Sequence, residues 1–275
     1  MEISNLTKSR IQEYLNEGKR FDSRGLLDFR EIKIETNIVK NAEGSARVKI
    51  GDTEIIAGVK IDVAEPYPDH EDEGTFMTTV ELLPLSSPNF EAGPPRIEAI
   101  ELARVIDRGI RESNFIDFKK LCIEKGKKVF SVFLDLYPIN ADGNLLDAGA
   151  LAAVMALKTA KMPKYDEKTE KIMFGELTNK PVLLDNILPI TLTFHKIGEK
   201  IFLDPISEEE ESSEARLTLC LTKKGKEMFV NAAQKGGEKT FKKEEIDKIL
   251  EIAVEKYKEL EEEIEKKIEK AGGKK

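Results

Sequence analysis

The chain lacks the residues on which several classes of protein depend. Tryptophan is absent, and only two cysteines and two histidines occur among the 275 residues. Cys122 and Cys220 each stand among apolar neighbours, so we expect reduced core thiols rather than a disulfide framework or a cysteine-ligated metal. Because His70 and His195 lie far apart in sequence, a serine–histidine or cysteine–histidine triad is not expected. An enzyme built on this sequence would have to use carboxylates and arginines.

Long apolar segments and an excess of positive charge are also missing. The longest stretch without a charged side chain has ten residues, Ala148–Leu157, whereas a membrane-spanning helix needs about 20 apolar residues. Met1-Glu2-Ile3 opens the sequence with an acid and leads into no apolar segment, so we expect no secretory signal and a cytoplasmic protein. The net charge of −8 argues against a continuous nucleic-acid-binding surface but allows one basic spot.

Apolar spacing predicts the secondary structure. Helices are expected over residues 4–17, 97–113, 147–160 and 242–270. Strands are expected over residues 31–38, 45–50, 54–63, 76–83 and 128–136, and again over 182–184, 188–194, 200–203, 215–221 and 227–232. The third helix is apolar nearly all round and should be buried, whereas the fourth has one apolar face and should lie on a sheet.

The order of elements predicts the organisation of the chain. Strands followed by helices occur twice, which is typical of an α+β protein with two related lobes. We expect an N-terminal helix and arginine-rich loop (1–30), a first lobe (31–162), a linker or peripheral hairpin (163–180), and a second lobe that ends in the long helix (181–275).

Three arginines form a stripe on the second predicted helix. Arg104, Arg108 and Arg111 are spaced so that they fall within about 60° of one another on one helix face. Only ten of the 44 basic residues are arginine, and guanidinium suits bidentate contact with phosphate better than ammonium does. The stripe therefore indicates phosphate or RNA binding. The alternative is pairing with the nearby acids Glu101, Asp107 and Glu112.

A polar turn precedes the buried helix. A helix start can bind phosphate, but Leu145 and Leu146 occupy the places where hydroxyl or guanidinium donors would be needed. We therefore interpret the turn as a helix cap formed by Asn144 or Asp147.

Two acidic segments invite a metal or acid–base interpretation. One is the loop Glu65–Gly74 with His70, and the other is the run Ser207–Glu211. Adjacent carboxylates in loops are usually solvated, so we expect both segments to be exposed and to carry no chemistry.

Four motifs together resemble the RNase PH family. They are Arg20-x-Asp-x-Arg-Gly-Leu-x-Asp-x-Arg30, Val80-Glu-Leu-Leu-Pro-Leu85, the segment from Gly93-Pro-Pro to Arg108, and Asp142-Gly-Asn-Leu-Leu-Asp-Ala148. The resemblance runs in order over nearly the whole chain and is greatest for the non-catalytic branch found in archaeal exosomes. It implies an RNase PH-like fold, in which two βαβ-type lobes pack sheets on helices.

Departures from the family pattern bear on activity. Active members bind phosphate with a Gly–Ser/Thr–Arg turn, whose Ser/Thr and Arg places match Leu145 and Leu146. The places of their two catalytic carboxylates match Glu210 and Arg216. Their arginine pair before the first-lobe helix matches Ile97 and Glu98, with Arg96 one place off. The resemblance thus implies a chain without catalytic residues, cofactor or metal.

The same resemblance implies partners. A non-catalytic member would pair with a catalytic RNase PH-type paralogue, three such heterodimers would close a hexameric ring, and cap proteins with OB-fold and KH domains would bind to the ring. Arg104 and Arg108 match arginines that grip the RNA 3′ end beside the partner's active site, and Arg111 is a third candidate. The alternatives are a self-sufficient phosphorolytic 3′→5′ exoribonuclease, or a scaffold whose arginines only form ion pairs.

Overall fold

A computed structural model describes residues 4–182 and 184–272 of the chain. Its helices are α1 (Asn5–Asn16), α2 (Ile97–Glu112), α3 (Leu145–Thr159), α4 (Ser207–Glu211) and α5 (Lys243–Gly272), with a 3₁₀ turn at Phe118–Leu121. All four predicted helices are confirmed, and α4 is an addition. Met1–Ile3, on which the expected lack of a secretory signal partly rests, lie outside the described residues.

The first sheet has the strand order β1-β2-β3-β6-β4, with β5 also pairing with β6. Its strands are β1 (Ile32–Thr36), β2 (Gly44–Ile50), β3 (Thr53–Ala64), β4 (Thr75–Val80), β5 (Cys122–Glu124) and β6 (Lys128–Asn140). All neighbours are antiparallel except β4 and β6. Because α2 connects this parallel pair, the first lobe contains a βαβ unit.

The remaining strands form a hairpin and a second sheet. The hairpin consists of β7 (Lys161–Asp166) and β8 (Lys171–Pro181). The second sheet has the order β10-β9-β11-β12 and is antiparallel throughout. Its strands are β9 (Ile190–Ile197), β10 (Lys200–Leu203), β11 (Ala215–Lys224) and β12 (Glu227–Gly237). Of the strand predicted at 182–184, Val182 belongs to no strand, Leu184 forms an isolated bridge with Ile116, and Leu183 lies outside the described residues.

Helices α2 and α3 join the two sheets into one core. Helix α3 contacts β2 and β3 of the first sheet and β9 of the second, and α2 contacts β4 and β12. Every residue from Leu146 to Leu157 is buried, which confirms the prediction for this helix. Close approach depends on Gly44, where a Cβ would lie 2.4 Å from the carbonyl oxygen of Ala156.

Helix α5 covers strands of both lobes with its apolar face. It contacts β9 and β1, and the buried side chains at helical spacing include Ile249, Ala253, Tyr257 and Ile264. The Tyr257 hydroxyl donates a hydrogen bond of 2.8 Å to the Leu188 carbonyl. The predicted placement on a sheet is confirmed. No helix within the described ranges is both long enough and apolar enough to span a bilayer.

Candidate nucleic-acid interface

A groove of 690 Å³ runs between α2 and the edge strand β12. Arg104 and Arg108 line the helical side, and Asn231 and Gln234 line the strand side. We call it the arginine groove. Helical periodicity creates it, since burying Leu102, Ile106 and Ile110 turns the arginine-bearing face away from the core.

Two of the three predicted arginines lie in this groove with their charges available. The Arg104 side chain is exposed and makes no ion pair or hydrogen bond within residues 4–182 and 184–272. Arg108 pairs with Glu112 at 3.3 Å, but the two side chains are 60% and 43% exposed. Exposed pairs of this kind contribute about 0 to 1 kcal/mol. An incoming phosphate can therefore displace Glu112 at small cost.

Arg111 has a different environment. Its Nε donates to Asp107 Oδ2 at 3.0 Å and its Nη2 donates to the Phe76 carbonyl at 2.9 Å. The guanidinium also lies 5.7 Å from the ring centre of Phe76 and 5.5 Å from that of Phe118. Arg111 therefore pairs with a local acid, as the alternative for the stripe expected. Its contact with RNA stays a prediction.

Glu101 lies in the groove but is paired elsewhere. Its carboxylate forms an ion pair with Arg216 of β11 rather than with an arginine of its own helix. The alternative that Glu101 pairs with an arginine of the stripe is therefore wrong. Arg216 is the residue that matches a catalytic carboxylate in the family pattern.

The start of α3 offers no side-chain donors at the two places where the family pattern has Ser/Thr and Arg, which are Leu145 and Leu146. Leu146 is buried in the core, and Leu145 packs against it. Asn144 holds the N-cap position in the left-handed conformation and makes no side-chain cap hydrogen bond. Its Nδ2 donates instead to Asp204 Oδ1 at 2.8 Å, while its backbone N–H donates to Glu210 Oε2 at 3.1 Å.

Asp147 does not cap the helix either. Its two carboxylate oxygens accept from the backbone N–H and the hydroxyl of Thr193 at 3.1 Å and 2.7 Å. Asn144 thus occupies the predicted N-cap position, but neither side chain makes the predicted capping hydrogen bond, because both are used to join α3 to the second lobe.

A buried carboxylate that the sequence analysis did not single out organises the polar groups beside this helix start. Asp204 accepts from Arg30 Nε and Nη2 at 2.9 Å and 2.8 Å and from Arg24 Nη1 at 2.9 Å. Burial alone would raise the pKa of Asp204, but the hydrogen bonds and charge of Arg30 lower it below its usual value. The dense arginines of the N-terminal loop were the available signal, since buried arginines require a buried acid.

The acidic run 207–211 is helix α4 rather than a solvated loop. Glu209 is buried, and its Oε1 accepts from the Nε of Arg20 at 3.0 Å. Burial raises the pKa of Glu210, the residue that binds the Asn144 N–H. The expectation of an exposed run is wrong for these two residues, and holds for Glu208 and Glu211.

The second acidic segment, Glu65–Gly74, is largely exposed as expected. His70 Nδ1 lies 3.1 Å from Glu73 at the surface. Across the described part of the chain, no three histidine, cysteine or carboxylate side chains come together in the manner of a metal site.

Comparison with known proteins finds a family match in each lobe. The pattern of the 3′ exoribonuclease family, domain 1 (RNase PH), matches residues 28–163, and that of domain 2 matches residues 188–256. The exosome complex component Rrp42 of Thermococcus kodakarensis is 44% identical over 272 residues, which cover 98% of each chain.

Solved structures match over most of the chain. A chain of the Archaeoglobus fulgidus exosome with RNA bound to the active site matches with a TM-score of 0.86 and 40% identity, over 94% of this chain and 98% of that one. A chain of an archaeal exosome core matches with a TM-score of 0.82 and 36% identity, over 95% of this chain and 97% of that one.

Proposed function

Because the chain belongs to the RNase PH family of 3′ exoribonucleases, we propose that it is a non-catalytic subunit of an archaeal exosome. It pairs with a catalytic RNase PH-type paralogue, and three such heterodimers close a hexameric ring in the cytoplasm. The ring degrades RNA from the 3′ end by phosphorolysis and carries cap proteins with OB-fold and KH domains. The names of the relatives and the RNA-bound archaeal structure support this assignment.

One observation carries the proposal. The chain keeps exposed arginines in a groove, while the helix start at which active relatives would hold phosphate is filled by leucines of the core. The chain thus keeps groups that can contact RNA but lacks those that would hold phosphate for phosphorolysis. This is expected of a subunit that serves a partner's active site.

The polar groups beside that helix start support a non-catalytic role. Phosphorolysis requires a held phosphate and a proton donor for the leaving oxygen. Arg216 replaces one family carboxylate and is bound to Glu101. Glu210, at the other place, accepts the N–H of Asn144 that would otherwise face an anion. These residues would hold no phosphate, so the first requirement is unmet.

The arginine groove has the features of an RNA grip. Arg104 and Arg108 are one helical turn apart, about 6 Å along the axis, close to the spacing of neighbouring phosphates in a strand. Contacts to phosphate position an RNA without reading its sequence. We therefore assign Arg104 and Arg108 to RNA binding, with Arg111 as a third candidate whose contact requires it to leave Asp107.

The test is an assay of phosphate-dependent release of nucleoside diphosphates from single-stranded RNA. The isolated chain is expected to release none, and the complex co-expressed with its catalytic paralogue is expected to degrade RNA only when phosphate is present. The double variant Glu210→Asp, Arg216→Asp should stay inactive, because Leu145 and Leu146 still leave phosphate unbound. Clear phosphorolysis by the isolated wild-type chain would establish the self-sufficient enzyme instead.

Mass measurement of the same samples tests the assembly. The edge strand β12 exposes Phe229 and Val230 at 41% and 47%, and α2 exposes Ile97 at 72%. Obligate interfaces commonly bury about 2,000 Å² or more. We expect the chain alone to dimerise or aggregate and the co-expressed pair to have the mass of a ring. A monodisperse monomer that does not bind the paralogue would count against the proposal.

A further inference from the structure

An ion pair that joins the two lobes lies at the edge of the arginine groove, where Glu101 is one of the lining residues. Arg216 lies on β11 of the second sheet, and Glu101 lies on α2. Their side chains are 20% and 35% exposed, so the pair borders the groove without being fully solvated. Glu101 is one helical turn before Arg104 and two turns before Arg108, on the same helix face. The carboxylate therefore lies among the groups that would contact RNA.

An unpaired carboxylate at this place would act against RNA binding in two ways. It would repel a phosphate held by Arg104, and it would attract Arg104 itself, because residues three apart on a helix are within pairing distance. Glu101 is bound to Arg216, and Arg104 has no ionic partner within the described residues.

The strands on either side hold Arg216 in this orientation. Its cross-strand neighbours are Gly236 on β12 and His195 on β9. A Cβ at Gly236 would lie 2.8 Å from Arg216 Nη2 and 3.0 Å from its Cζ, so the guanidinium lies directly over the glycine backbone. Burial, together with the charge of Arg216, lowers the pKa of His195 to about 3. His195 is therefore uncharged at neutral pH and adds no second cation beside Arg216, whose charge acts on Glu101 and also on Glu210.

We propose that Arg216 is a positioning residue for RNA binding, which neutralises Glu101 and keeps its carboxylate away from Arg104. Arg104 and Arg108 then remain available to two successive phosphates. The inference rests on the proposed function, since it requires RNA in the arginine groove. Arg216, at a place where the family pattern has a catalytic carboxylate, thus carries a positive charge and supports RNA binding.

The experiment measures the affinity of the assembled complex for a fluorescent single-stranded oligoadenylate at three salt concentrations. Arg216→Gln should weaken binding roughly 5-fold, and the log–log salt slope should fall by about 0.7 because Glu101 captures one arginine. Glu101→Gln should bind at least as tightly as the wild type. The double variant Glu101→Gln, Arg216→Gln should regain wild-type affinity, which a merely structural ion pair would not do.

Gly236→Ala is the second route to the same outcome. It retains both charges but displaces the guanidinium, so it should weaken binding in the same direction as Arg216→Gln. A double variant as weak as Arg216→Gln, or wild-type affinity for Arg216→Gln, would overturn the inference. Arg104→Ala measured in parallel separates the two proposals. If Arg104→Ala weakens binding and Arg216→Gln does not, only the inference fails, whereas unchanged binding in both contradicts the RNA grip itself.

Discussion

At the scale of single residues, burial shifts the pKa values of two side chains in opposite directions. Asp147 and His195 are both buried in the region where α3 meets the second sheet. Burial raises the pKa of Asp147 to about 7 from an ordinary value of 3.8. Burial and the charge of Arg216 lower the pKa of His195 to about 3 from 6.5. Each group thus favours its neutral form in the folded chain.

Asp147→Asn tests this effect on the free energy of unfolding. Asp147 binds a proton more tightly folded than unfolded, so its contribution to stability is present below pH 3.8 and is lost as pH rises through about 7. The asparagine side chain does not titrate, so the stability of the variant does not decrease in this way as the pH rises. The variant can still form hydrogen bonds with Thr193 through its amide. Its stability relative to the wild type should therefore increase between pH 4 and pH 7, by on the order of 4 kcal/mol at most, and then level off.

Urea titrations of both proteins across pH provide the measurement. His195 acts in the opposite direction, since its contribution is present above pH 6.5 and is lost toward pH 3, but it cancels in the difference between the two proteins. Asp69→Asn, at an exposed side chain, is the matched control. A difference between Asp147→Asn and wild type that does not change with pH would show that Asp147 does not titrate in this range.

At the scale of elements, the short helix α4 is held to the N-terminal loop by a buried ion pair. Arg20 donates to Glu209, and its two Nη atoms also donate to the carbonyls of Leu203 and Asp204 at 2.7 Å each. Glu209 Oε2 accepts in turn from the N–H of Ile206 at 3.1 Å. The segment before β1 is thus fixed to the second lobe through charges that lack access to water.

Removing one partner of this pair should cost far more stability than removing both charges. Arg20→Met leaves the Glu209 carboxylate buried without its cation, which typically costs about 3 to 5 kcal/mol. Adding Glu209→Gln removes that charge while keeping an acceptor for Ile206, so the double variant should recover more than about 1 kcal/mol. Arg96→Met, at the exposed pair with Glu91, is the control and should cost less than about 1 kcal/mol. A double variant no more stable than Arg20→Met would contradict this account.

The elements that sequence analysis predicted are those whose signals are local. The apolar spacings of α2, α3 and α5 lie within single segments, and the structure confirms these helices. Helix α4 was missed because four consecutive glutamates are typical of a solvated loop. Its burial depends on Arg20, which is 189 residues away in sequence.

The same limit applies to the candidate site. Helical periodicity alone brought Arg104 and Arg108 to one face, and the structure places both in the arginine groove. The ion pair between Glu101 and Arg216 joins residues 115 apart in sequence, and no local pattern indicates it. The position of Arg111 likewise depends on Phe76 and Phe118, which belong to other elements.

At the scale of the whole molecule, the groove exists because both lobes share one core. Helix α2 belongs to the first lobe, but its outer face meets β12 of the second sheet. The chain carries a net charge of −8, so the arginines form a local cationic site on an otherwise acidic protein. Such a site holds a strand at one place and does not bind nucleic acid over the whole surface.

The most direct test of this account is the salt dependence of RNA binding by the assembled complex with Arg104→Ala and Arg108→Ala combined. The log–log slope should fall by roughly 0.7 for each lost phosphate contact. Affinity should decrease about equally for RNAs of different sequence, because phosphate contacts carry no base information. Arg47→Ala, at a half-exposed arginine of the first sheet that pairs with Glu35 and Glu54, should leave the slope unchanged. An unchanged slope together with a lowered melting temperature in the Arg104, Arg108 variant would show that these arginines only stabilise the fold, and would contradict the RNA grip.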